Sequence, residues 1–250
     1  MSEIPCGFCQ RPGRSDEHIF ALWISDLLGA RHPDNTVRHT LTRDEITTPP
    51  WYGGAINQIV RMPCKSCNGG WMSDIESYVS PIIGPMILDQ GPVTLGVPSQ
   101  VMMARWAIKI AMVTEYIRPA RARYFSQQER SEFMNGGMPS GATVWIGRYG
   151  EENPGVQNSA AGLFTRPDRR IDGYVMTFAV GKLAVQIFVE RSTPGHPVSV
   201  HPGPWNELLL EIWPPLLECS VTGAAVVWPP SLTADAGLFN ALFHRFSLGA

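Results

Sequence analysis

Four of the five cysteines fall in two identical pairs, Cys6-Gly7-Phe8-Cys9 and Cys64-Lys65-Ser66-Cys67. A C-x-x-C turn reverses the chain within four residues and aims both sulfurs at one point. Two such turns supply the four thiolates that a closed, tetrahedral zinc site takes. Gly7 lets the first turn tighten, and Asn68-Gly69-Gly70 relaxes the chain after the second. A structural zinc there would contribute on the order of 10 kcal/mol to folding. The competing readings are a redox pair and chance spacing. Five cysteines in 250 residues are too few for a disulfide scaffold. The start of the chain has no basic segment leading into an apolar one. The longest apolar run, residues 101–113, is broken by Arg105 and Lys109 and is too short to span a bilayer. The expectation is a soluble, cytoplasmic protein, in which paired cysteines take metal. Cys219, alone, reads as a small buried hydrophobe.

The pairs are 54 residues apart, wider than a plain zinc ribbon. Something is therefore inserted between them, and function is expected in the insertion. It opens with Ser15-Asp16-Glu17-His18-Ile19-Phe20-Ala21, an acid directly before a histidine, and Asn68 directly follows the last cysteine. Knuckles on one zinc would bring Glu17-His18 and Asn68 close in space.

On these residues the segment from about 5 to 80 resembles an HNH, or ββα-metal, endonuclease module. Its layout is similar to that of phage recombination endonuclease VII: two C-x-x-C knuckles, an acid–His pair between them, and Asn after the last cysteine. Glu17 stands where the family has Asp, and Ala21 where it has Pro. The resemblance implies that His18 is the general base and that Glu17 and Asn68 hold a catalytic magnesium or manganese ion. Asn57 would be the asparagine that orients the histidine loop, and Glu76 is a weaker candidate for the cation site. The chemistry suits these residue types. An imidazole can deprotonate water near neutral pH. A hard cation with oxygen ligands can neutralise the scissile phosphate.

Elsewhere the sequence speaks of fold more than function. A helix is expected over residues 19–28, capped by Ser15 or Asp16, and an α element over 70–79 with Trp71, Ile75, Tyr78 and Val79 inward and Pro81 closing it. Glycines and prolines over residues 88–98 mark a boundary. A strongly apolar helix follows to Ile117, and a second, capped by Ser126, runs to Met134. Residues 174–180 and 183–189 flank Gly181-Lys182 as a hairpin. The fold class is α+β: a zinc-stapled, treble-clef-like module over 1–90, and an α+β part with an antiparallel sheet over 98–250.

The net charge of −2, with 44% hydrophobic and 17% charged residues, excludes disordered chains and polybasic binders. It leaves room for a local arginine cluster. Arg118, Arg121 and Arg123 are candidate nucleic-acid contacts, with Tyr124 and Phe125 as stacking groups, and Arg166, Arg169 and Arg170 form a smaller group. The reading is thus a metal-dependent endonuclease acting on nucleic acid, with DNA the expected substrate and no membrane association. Its rivals are a catalytically inactive zinc-dependent module that binds nucleic acid or protein, and a structural assembly component.

Overall fold

The computed structural model describes residues 4–29, 36–39, 41–43, 46–47, 51–54, 58–117, 120, 123–151, 156–164, 171–191, 198–200, 203–215 and 224–248. Its strands are β1 (Asp16–His18), β2 (Thr36–His39), β3 (Leu41–Arg43), β4 (Ile46–Thr47), β5 (Trp51–Gly54), β6 (Ile59–Arg61), β7 (Val93–Leu95) and β8 (Ala142–Arg148). They continue with β9 (Val156–Phe164), β10 (Ile171–Val180), β11 (Leu183–Glu190), β12 (Val198–Val200), β13 (Leu209–Trp213), β14 (Val226–Trp228) and β15 (Phe246–Leu248). The helices are α1 (Leu22–Leu28), α2 (Lys65–Cys67), α3 (Ser73–Ile87), α4 (Val97–Thr114), α5 (Gln127–Met134), α6 (Trp205–Leu208) and α7 (Ala236–Phe243).

The apolar run after residue 98 becomes α4, whose residues from Met103 to Thr114, Arg105 excepted, are buried on every face. A helix apolar on all sides needs partners on all sides. One side of α4 meets α3 and another meets β11 and β13. The main sheet has the order β13-β8-β11-β10-β9-β3-β4. Its neighbours are antiparallel except β3 and β9, which run parallel. The expected hairpin is β10–β11, with Val180 opposite Leu183 and Gly181 at φ +54° in the turn. Leu183 to Val189 are all buried, so this strand is covered on both faces.

The module around the cysteines is smaller. β1 pairs antiparallel with β6, Glu17 opposite Val60 and His18 opposite Ile59. The chain then passes through the second knuckle into a helix. Ser15 and Asp16 do not cap α1, because they enter β1; the helix begins only after Ala21. The α element is also longer than expected. Asn68–Met72 form a π turn broken at Gly70 (φ −104°, ψ −118°), and α3 runs on through Pro81 and Pro85 to Ile87. Pro81 is exposed, as is Ser77, whose carbonyl it cannot serve. Ile75 and Val79 are buried, but Tyr78 turns outward at 41% exposure.

The segment near the expected boundary holds β7, paired with β14 by Val93 opposite Trp228. One continuous core runs from Cys6 and Phe8 through Ile75, Trp106 and Phe178 to Trp228. The glycines and prolines flanking β7 therefore shape turns around a strand.

Candidate metal centre and acid–histidine site

The four cysteines meet although they come from opposite ends of the insertion. Their Sγ atoms all lie within 4.8 Å of one another, with Cys6–Cys67 at 3.8 Å and Cys9–Cys64 at 3.6 Å. A tetrahedron with zinc–sulfur bonds of about 2.3 Å has edges of about 3.8 Å, so these separations fit a zinc ion. The backbone N–H groups of Phe8 and Cys64 donate to Cys6 Sγ at 3.4 and 3.2 Å, and stabilise negative charge there. Burial opposes ionisation of Cys9, but hydrogen bonding from Arg11 and the neighbouring thiols outweighs it and lowers the thiol to about 6. Burial pushes the Cys67 thiol up. The group can hold a structural zinc ion.

The first knuckle is clamped from several sides. Gly7 N donates to Met62 O at 2.9 Å. Phe8 O accepts from Gln127 Nε2 at 3.0 Å and from Ser131 Oγ at 2.8 Å, both on α5. The Phe8 ring meets Trp71 edge-on at 4.8 Å, and Trp71 meets Phe133 at 5.7 Å. The zinc loop is thus packed against the later part of the chain.

Glu17 and His18 are consecutive in a strand, so their side chains leave opposite faces. Glu17 is buried at 9% exposure, while His18 stays half-exposed. Asn68 holds the strand from the helix side. Its Nδ2 donates to Asp16 O at 3.0 Å and lies 3.3 Å from Ser15 Oγ, and its side chain pulls the Glu17 carboxyl pKa down against burial. Asn57, Arg118 and Arg121 lie outside the described residues, as do Cys219, Arg166, Arg169 and Arg170.

What faces Glu17 is Lys109, from the middle of α4. Its ammonium is wholly buried, ion-paired with Glu17 Oε1 at 3.6 Å and hydrogen-bonded to Glu76 Oε1. Trp23 Nε1 donates to the other Glu76 oxygen at 2.8 Å. Burial raises the Glu17 carboxyl pKa even against the pull of Lys109. Burial also works against the Lys109 ammonium, but Glu76 and Glu17 outweigh it and raise its pKa. The Lys109 ammonium thus draws Glu17 and Glu76 to one point, with Asn68 bonded to the main chain beside Glu17. As arranged, the site does not fit the implied magnesium or manganese: the ammonium already faces both carboxylates, and the Trp23 indole N–H serves the second Glu76 oxygen.

Arg123 stacks its guanidinium 3.7 Å from the Tyr116 ring centre, with Arg14 and Arg130 at 5.7 and 5.2 Å. Tyr124 and Phe125 cannot stack on bases. They are 5% and 2% exposed and pack on Tyr174 in the core. Sequence reasoning missed Lys109, Trp23 and Tyr116. Lys109 had a signal: it is one of three lysines among 20 basic residues, and it interrupts the most apolar helix.

Comparison with protein-family models, curated proteins and solved structures finds no match. Among the described residues no helix is long and apolar enough to cross a membrane.

Proposed function

We propose that residues 4–88 form a zinc-stapled module of the HNH type that hydrolyses nucleic-acid phosphodiester bonds, with His18 as the general base. The observation that carries this reading is the ββα arrangement around the cysteines. β1 presents Glu17-His18 antiparallel to β6, and Asn68, at the head of the following helix, is bonded to β1 through the Asp16 carbonyl. His18, half-buried, leaves β1 on the face away from Glu17. An imidazole placed so can take the proton of an attacking water. Arg14 and Arg61 flank the strand; Arg14 donates to the Pro5 carbonyl and Arg61, largely exposed, pairs with Asp16, and their charge beside His18 suits phosphate contacts. The magnesium or manganese expected at Glu17 and Asn68 is not carried into this reading, because Lys109 faces that carboxylate.

The same observation favours a second reading, a zinc-dependent module that binds nucleic acid without cutting it. A plasmid-nicking assay separates the two, run with and without magnesium or manganese on wild type and His18→Ala. Hydrolysis predicts nicking by wild type that falls at least about 100-fold in the variant. Equal background nicking, with filter binding intact in both proteins, leaves the binding module.

A further inference from the structure

Two carboxylates converge at the head of the module. Glu17 comes from β1, and Glu76 from the first turn of α3. Pairs of this kind are common first ligands for hard divalent cations, which take one or two carboxylates and fill the remaining positions with water. Here the third member is an ammonium group. Lys109 reaches the pair from α4, an element outside the zinc module, and is itself 0% exposed.

A lysine is rarely buried without compensation, since removing its charge from water is costly. This one is compensated from two directions by Glu17 and Glu76. The donors around the carboxylates complete the arrangement. Glu76 takes one N–H from Lys109 and one from Trp23, and Glu17 takes the Lys109 ion pair. A metal ion at this point would have to displace the ammonium, and a buried ammonium has no water to move into. Both Glu76 oxygens are already met by N–H donors, and Glu17 Oε1 faces the same ammonium at 3.6 Å.

We propose that Lys109 is the resident cation of this acid pair, so that Glu17 and Glu76 form a metal site that the chain's own ammonium fills and closes to divalent ions. Lys109 touches no substrate in this arrangement. It is a positioning residue: it ties α4 to β1 through Glu17 and to α3 through Glu76, and so sets the strand that carries His18. The inference does not require the chain to be a nuclease, and its readout is cation binding rather than cleavage.

The test is a Mn²⁺ titration of zinc-loaded protein, following free Mn²⁺ by electron paramagnetic resonance. Wild type is expected to take up no Mn²⁺ below millimolar concentrations. Lys109→Ala, which removes the ammonium and leaves both carboxylates, is expected to gain one site binding at least about tenfold more tightly than any site of wild type. The double variant Lys109→Ala/Glu76→Gln should lose that gain. Stoichiometric Mn²⁺ uptake by wild type that disappears in Glu17→Gln would overturn the proposal, as would a folded Lys109→Ala that takes up none. Should Lys109→Ala fail to fold, the titrations of wild type and Glu17→Gln decide alone. A wild type that binds no Mn²⁺ and nicks no DNA supports Lys109 as the resident cation while defeating hydrolysis, so the two outcomes stay separate.

Discussion

Asn68 Nδ2 donates to the main-chain carbonyl of Asp16 at 3.0 Å across 52 positions of sequence. The bond joins the head of a helix to the strand carrying Glu17 and His18. It exists because the second knuckle ends one residue earlier, at Cys67, and its turn aims the next side chain at β1. The helical turn over Asn68–Met72 follows, kinked at Gly70.

Asn68→Ala removes this donor and its contact with Ser15. One or two partly buried hydrogen bonds are worth about 1–2 kcal/mol net. Urea denaturation of the zinc-loaded variant should show a loss of that size with an unchanged slope. No change in midpoint would mean that the bond does not hold the strand.

Zinc should be present at one ion per chain and should dominate the stability of the module. Chelation, or Cys64→Ser, removes a closure that joins residues 55 positions apart and serves Phe8, Trp71 and Phe133 as an anchor. Thermal melts with and without a strong chelator should differ by tens of degrees, while a colorimetric dye follows the released metal. Matching melts would reject the zinc assignment.

Gly7 permits a close approach that no other residue can. A Cβ there would overlap the Tyr116 hydroxyl and lie 2.6 Å from Met62 Cγ. Gly7→Ala forces the ring or the knuckle to shift, at about 1–3 kcal/mol. Its zinc affinity, read by competition with a chelating dye, should fall with its melting temperature. A variant with wild-type values would show that Tyr116 moves aside without consequence.

Stability should depend on pH through the Glu17–Lys109 pair, with the same sign for both members but in different pH windows. Burial raises the Glu17 carboxyl above its unfolded value near 4.5. Its contribution is therefore full below that value and falls as pH climbs to the raised folded one. For Lys109, burial acts downward but the two carboxylates prevail, and the pKa rises above 10.5. Its contribution is present below 10.5 and is lost as pH rises through the folded value. Melting temperatures across pH should show wild type losing its advantage over Glu17→Gln as pH rises from 4.5. Parallel curves would show that Glu17 titrates alike in both states.

Much of the local structure was legible in the sequence because it rests on local physics. Ser126 forms the expected cap, with its side chain accepting from Glu129 N and the Glu129 carboxylate accepting from Ser126 N. The Gly181-Lys182 turn needs a positive φ, and glycine supplies it. α1 and Pro81 went the other way. A capping residue also suits a strand, and a proline on an exposed helix face does not end a helix. Tyr124 and Phe125 looked like stacking groups because an aromatic beside arginines reads the same in a core as on a surface.

The sequence by itself determined that four thiolates would converge and that an acid–histidine pair would lie between them, while the place of Asn68 at the α element came from the resemblance. The convergence follows from spacing, since each C-x-x-C turn aims two sulfurs at one point. Only the tertiary structure decided what stands opposite Glu17. Lys109 is 92 residues away, on a helix whose pattern says only that it is buried. A charge in such a helix must find compensation. The packing of α4 on α3 chose Glu17 and Glu76 to provide it, and so put an ammonium where the resemblance implied a metal ion.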